Sequence, residues 1–446
     1  MQSTELKNPA ALDGAITAHH KHSRAPRILL YIMFLVLMID LMPNLGIGFG
    51  TGISAKNLFS YFFLVFIAVR AAMRPSGMKL VDLDVHVPYL LMMAYAAATW
   101  AIAATFDPTY SALRGAVTYK NQLIDLYLFL IAFRYGVERK EDYLWLFRAI
   151  VITLMVSSVV TLIDFFNIPD LGIIGEHKGR LEGPVGAANQ YGALLAFLIP
   201  VSISIIPRNA GPAGYWGWRL GILVMVALLV ATGSRGAFVA AILGSVAAIL
   251  YLRDFLNMRL VGGYVVAFLV LSVVVVIAVY FANPELISER FTKTTTGTLD
   301  TASSGRISIW RAAVLVMYEW PLSFIVGYGW NSFEASGIWK SAHNEYLDRW
   351  FELGIPGLLA YVYLLYVLVA RARRALRSCS PELGRMLIGY VFGMLIIVVN
   401  IFFVAIPDPW TVIWIVTGLI MGLQALEQKE AGRIERMLDP AATPDR

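Results

Sequence analysis

The stretch Ala342-His343-Asn344-Glu345-Tyr346-Leu347-Asp348-Arg349-Trp350-Phe351-Glu352-Leu353-Gly354-Ile355-Pro356-Gly357 joins a polar helical segment to an apolar run, and the chain is read outward from that junction. Ser341 is placed to cap the first turn, which puts His343 near a helix N-terminus, where unpaired N–H groups disfavour the imidazolium. A neutral ring is the state a general base needs. Gly354 and Pro356 interrupt the helix, and Pro356 is well placed to open the apolar span that follows. On position alone His343 has two readings: a base at a membrane surface, or an interfacial residue with a capping role only.

Composition decides what lies around this junction. Of 446 residues, 58% are hydrophobic and only 15% charged. The mean hydropathy is +0.67. Repeated apolar runs are long enough to cross a bilayer, so the expected fold class is all-α, a polytopic integral membrane protein. The single cysteine, Cys379, excludes an intrachain disulfide and a cysteine-rich metal site. The formal charge of +6 comes mainly from short loops and tails, a pattern of membrane orientation rather than of nucleic-acid binding. His19, His20 and His22 sit in a polar N-terminal tail with no adjoining carboxylate or cysteine pattern, so a solvated tail is favoured over a metal site.

Twelve spans are predicted near residues 27–42, 58–72, 87–106, 122–135, 143–165, 188–206, 217–231, 236–252, 261–281, 356–370, 385–406 and 410–424. The resulting organisation is a cytoplasmic tail (1–26), nine spans within 27–281, a large outward loop (282–354), which the resemblance described below makes periplasmic, three spans within 355–425 and a second cytoplasmic tail (426–446). The distribution of positive charge agrees with an even span count. Arg70, Arg74, Lys79, Arg134, Arg139, Lys140, Arg208, Arg253, Arg259 and the run from Arg371 to Arg385 all fall on the side of the N-terminal tail. His343 then faces outward. Within the outer loop, Ile309, Ala313, Val316, Met317 and Trp320 recur at helical spacing, which predicts a short amphipathic helix from Arg306 to Trp320, ended by Pro321. Gly327-Tyr328-Gly329-Trp330 follows as a turn that brings backbone close to a ligand or to another element.

Four outward arginines run against the charge trend: Arg180, Arg235 in the tight turn Thr232-Gly233-Ser234-Arg235-Gly236, Arg290, and Arg306 in Ser304-Gly305-Arg306. A guanidinium held at an interface by a short connection offers planar bidentate donors to phosphate and never loses its charge. The competing reading is that each reaches for lipid headgroups.

The Gly233-Ser234-Arg235-Gly236 turn, the loop from Ser304-Gly305-Arg306 to Gly327-Tyr328-Gly329-Trp330, and Ala342-His343-Asn344-Glu345-Tyr346-Leu347 followed by Glu352-Leu353-Gly354-Ile355-Pro356-Gly357 together resemble the O-antigen ligase and polymerase superfamily of bacterial envelope glycosyltransferases. The resemblance runs from about Arg180 to Val369. It implies an inner-membrane enzyme that moves a glycan from undecaprenyl pyrophosphate to the lipid A–core oligosaccharide at the periplasmic face. It also implies that His343 matches the essential histidine, and Arg235 and Arg306 the donor-binding arginines. Arg180 is a weaker match, because Ala188-Asn189 stands where the family commonly has Pro-Asn.

The implied chemistry is inverting transfer, with His343 taking the proton of the attacking sugar hydroxyl while arginines stabilise the pyrophosphate leaving group. No outward loop carries the clustered aspartates of a metal-dependent glycosyltransferase, so neither metal nor nucleotide cofactor is expected. A polymerase, or a ligase that attaches glycan to protein, would share the donor chemistry and differ in the acceptor. A flippase would also need many spans, but its charges should line a path through the bilayer, whereas the candidates here cluster at one face. Arg235→Lys and Arg306→Lys are each expected to weaken donor binding although the charge is kept, because an ammonium cannot make the bidentate contact. Wild-type donor affinity in both variants would assign these arginines to the lipid interface.

Overall fold

A computed structural model describes residues 24–40, 48–50, 53–73, 82–165, 181–207, 211–259 and 303–438, with scattered positions between 262 and 300. Arg180, Arg290, most of the predicted ninth span, the first 23 residues and the chain from 439 onward lie outside the described residues.

The described chain is a helical bundle. Its helices are α1 (Arg24–Asp40), α2 (Ala55–Ala72), α3 (Leu83–Phe106), α4 (Ala112–Tyr119), α5 (Asp125–Tyr135), α6 (Lys140–Phe165), α7 (Ala188–Ser204), α8 (Pro212–Ala231) and α9 (Arg235–Leu252). After the loop come α10 (Arg306–Glu319), the single turns α11 (Ser323–Val326) and α12 (Ser332–Ala335), then α13 (Glu345–Ala375), α14 (Pro381–Asn400) and α15 (Pro407–Leu438). A two-stranded antiparallel hairpin, Gly48–Gly50 with Ile53–Ser54, precedes α2. Among the described residues seven helices are long and apolar enough to cross a membrane. The shorter apolar segments are Asn57–Val69 and Ala188–Ser204. Large apolar side chains such as Leu91, Leu220, Leu250, Leu359 and Tyr366 stand exposed on the outer surface, as a lipid-facing bundle requires.

The centre is α15, in which every residue from 409 to 424 is buried. It packs on α5, while α14 packs on α7 and α9, and α3 on α13. Small residues let these backbones approach: a Cβ at Gly244 of α9 would lie 2.4 Å from the Cα of Ile396 in α14. Local chemistry sets the helix starts. Ser234 accepts from Ala237 N–H to cap α9, and Ser380 caps α14 with Pro381 in its first turn.

Charges divide between the two ends of the bundle. At one end Arg134 pairs with Asp82 at 2.6 Å, Arg371 with Asp82 and Asp84, and Lys140 with Glu382 and Glu427 at 3.3 Å. These bases belong to the set that the charge pattern put on the tail side. Arg235, His343 and the start of α15 lie at the opposite helix ends.

Helix α13 begins at Glu345 and breaks at Gly354, φ 62° and ψ −167°, where the sequence placed the interruption before the apolar span. That conformation is essentially restricted to glycine. The break is also a contact point: Tyr328 N–H donates to Phe351 O at 2.9 Å and Gly329 N–H to Glu352 O at 2.8 Å. The glycine turn therefore meets another protein element. A Cβ at Gly354 would lie 2.0 Å from Ile325 O, and one at Gly327 2.3 Å from Glu352 O. The amphipathic helix is present as α10, with Ala313 and Met317 buried, but Trp320 is outside it and 42% exposed. Gly354→Ala is expected to destabilise the fold by about 1–3 kcal/mol from backbone strain alone, with the clash in addition. A lowered Tm in detergent measures it; an unchanged Tm would mean the break relaxes without glycine.

Candidate functional site

His343 is half-buried and holds a left-handed backbone, φ 52°, unusual for a residue with a side chain. The helix cap beside it is Asn344, not Ser341: the Asn344 side chain accepts from Tyr346 N–H and Leu347 N–H, both at 3.1 Å. Ser341 Oγ instead accepts from His343 N–H at 3.3 Å. Asp348 holds the same turn from below by accepting Ala342 N–H at 2.7 Å, and Trp310 of α10 donates to Ala342 O at 2.8 Å. The start of α13 is pinned in turn. Glu345 N–H donates to Ile401 O at 2.8 Å, Tyr346 OH to Val398 O at 2.7 Å, and Trp410 Nε1 to the Glu345 carboxylate at 2.9 Å.

The arginines arrive from two other elements. Arg235 follows the Ser234 cap, and its guanidinium donates to Ser304 Oγ at 2.9 Å, in the turn where Ser304 and Gly305 both have positive φ and Arg306 starts α10. Arg306 is partly buried. Burial first, and then the neighbouring Arg235 charge, lower its proton affinity. Burial first, and then the Arg306 charge, hold the His343 imidazole below its usual range, so it is neutral near pH 7. The causes of this shift are desolvation and a neighbouring cation, not the helix terminus considered from the sequence. Two like charges held together beside a buried base are stabilised by an anion between them.

His343 also lines a cavity of about 460 Å³. Its wall includes Gln122, the entry to α7 from Gly186 to Gln190, Arg349 and residues 404–407. Arg349 is fixed on every side: it donates to Glu352 at 3.0 Å and to Gln122 Oε1 at 3.1 Å, stands 3.7 Å from Glu345 and lies over the Trp330 ring at 4.5 Å.

The structure therefore brings His343, Arg306 and Arg235 together, while Arg180 and Arg290 lie outside the described residues. Glu345, Asp348, Arg349 and Glu352 join the site without having been singled out from the sequence. Their spacing of three, one and three puts them on one helical face, and that polar stripe was the available signal. Gln122 carried no such signal.

Residues 220–362 match the family model described as O-antigen ligase. The similarity covers that segment, and the chain on either side of it lies outside the match. No curated protein matches the chain. The matched segment contains Arg235, Arg306 and His343, whereas Gln122 and the entry to α7 lie outside it.

A base held neutral by burial and by Arg306 gives a sharp pH expectation. With His343 as the base of a transfer reaction, the rate should fall as pH drops through the His343 pKa, with an acid limb below about 6.5. Arg306→Gln removes a cation that disfavours the imidazolium, so its residual activity should show that limb displaced upward. A limb that does not move would mean that another group titrates.

Proposed function

We propose that the protein is a glycosyltransferase of the O-antigen ligase type. It would transfer a glycan from undecaprenyl pyrophosphate to a sugar of lipid A–core at the periplasmic face of the inner membrane, with the organisation of tails, spans and outer loop predicted from the sequence. The observation that carries the reading is the placement of a desolvated histidine beside Arg306, itself beside Arg235. Undecaprenyl pyrophosphate is a good leaving group that needs its charge stabilised, which a pair of guanidiniums supplies. A sugar hydroxyl is a poor nucleophile and needs a base.

In the proposed step the acceptor O–H gives its proton to the free imidazole nitrogen of His343 as the oxygen attacks the anomeric carbon opposite the pyrophosphate. The C1–O bond to phosphate breaks with its electron pair on the pyrophosphate, which leaves as the lipid-linked anion between the arginines. The anomeric centre inverts. The proton on His343 then passes to solvent. Arg180 and Arg290 are proposed as further donor contacts from their place in the sequence. General-base assistance is worth about 10²–10⁴-fold and a charge-stabilising donor about 10²–10³-fold.

The test is a reconstituted reaction of purified protein with undecaprenyl-pyrophosphate-linked glycan and lipid A–core, a carrier protein, or neither. Glycosylated lipid A–core as the product is the expected result. Longer lipid-linked chains without acceptor would make the enzyme a polymerase, and glycosylated carrier protein a protein ligase. His343→Ala should insert and fold normally yet lose about 10²–10⁴-fold in transfer rate. Undiminished transfer by this variant would remove His343 from the chemistry.

A further inference from the structure

We propose that the cavity beside His343 is the subsite for the acceptor's saccharide ring, a neutral sugar, and that Gln122 and Arg349 orient the attacking hydroxyl. The proposal rests on the reading of His343 as the base and adds to it the residues that present the nucleophile.

Three observations converge. First, His343 belongs to two surroundings at once: it lines the cavity, and Arg306 acts on its charge state from outside the cavity wall. Neither Arg235 nor Arg306 lines the cavity. A base must touch the hydroxyl it deprotonates, so with the pyrophosphate taken by the arginine pair, the cavity is left for the ring that carries that hydroxyl. Its volume of about 460 Å³ falls in the range of small-molecule sites, roughly 300–1,000 Å³.

Second, the wall has donors fixed in place. Arg349 is held by Glu352, Glu345 and Gln122 and stacked on Trp330, so it presents its remaining N–H groups without further ordering. Gln122 spends its Oε1 on Arg349, and among the described residues no acceptor takes its Nε2 hydrogens. Five carboxyl groups share the same wall with Lys340 and Arg349, a set of acceptors and donors that suits sugar hydroxyl groups.

Third, Gln122 sits in a backbone distortion. Residues Lys120–Ile124 form a π-helical turn between α4 and α5. The turn is anchored by Lys120 on Asp125 at 2.8 Å, and Asp125 also accepts from Asn57 at 2.9 Å and from Tyr61 at 2.6 Å. Such bulges are rare and concentrate at functional sites. Here the widened turn delivers Gln122 to the cavity and to Arg349.

The decisive comparison is Gln122→Ala with Gln122→Glu. Glutamate keeps an oxygen for Arg349 but has no amide hydrogens, so it separates direct donation from the positioning of Arg349. Both variants should raise the acceptor KM about 3- to 10-fold, the value of one hydrogen bond, and raise the ratio of hydrolysed to transferred glycan. The donor KM, read from hydrolysis without acceptor, should not change, and unchanged Tm values confirm folding. Lipid A–core is the acceptor used; if the wild-type protein glycosylates the carrier protein or extends lipid-linked chains, KM is read on that acceptor. Wild-type acceptor KM in Gln122→Ala would overturn the proposal, as would an equal rise in donor KM. Recovery in Gln122→Glu would overturn direct donation by Gln122. If His343→Ala is inactive while the Gln122 variants behave as wild type, only the subsite falls; an active His343→Ala refutes the base.

Discussion

The two backbone hydrogen bonds between the Gly327–Gly329 turn and the carbonyls of Phe351 and Glu352 hold the segment before α13 against the bundle, and the rest of the site depends on them. They form because α13 breaks at Gly354, where a backbone conformation closed to other residues frees carbonyls that an unbroken helix would use internally. The break separates a polar first segment from an apolar one. In the first, Glu345, Asp348, Arg349 and Glu352 are buried or nearly so and engage one another, α14, α15 and the His343 turn.

Burying so many charges is tolerable only when each has partners, and the hydrogen-bond pattern supplies them. Glu345 is met by Trp410, Arg349 by Glu352 and Gln122, and Asp348 by Ala342 N–H. The consequence is rigidity next to His343. His343 sits in a left-handed conformation on a turn whose backbone is bonded from three directions, so the turn is held in one place. Preorganisation of this kind is what makes electrostatic and proton-transfer catalysis efficient, since no group has to be reordered during the step.

The electrostatic division of the bundle follows the same economy. At the end holding Asp82, Arg134 and Arg371, cations and carboxylates neutralise one another. At the other end Arg235 and Arg306 are set close enough to lower the latter's proton affinity, an arrangement that favours an anionic ligand and keeps the imidazole neutral. Part of the matched family segment carries these groups, and the chain before it contributes Gln122 and the entry to α7 as the facing wall of the cavity. In the proposed reaction, charge stabilisation comes from the matched segment, while nucleophile orientation draws on Arg349 within it and Gln122 before it.

Sequence by itself determined the helical, membrane-type character, because apolar runs of bilayer length have few alternatives, and it placed helices within a few residues where caps such as Ser234 and Ser380 mark them. It also singled out His343, Arg235 and Arg306, which the structure places near one another at helix ends. Tertiary structure alone decided three things. Asn344 rather than Ser341 became the cap, since that choice depends on where the His343 turn is tied to α10 and Asp348. The imidazole's neutrality came from burial and Arg306, neither of which is local in sequence. Gln122 reached the cavity through a π-helical turn held by Asn57 and Tyr61, two residues more than sixty positions away, and no pattern of spacing encodes a contact at that separation.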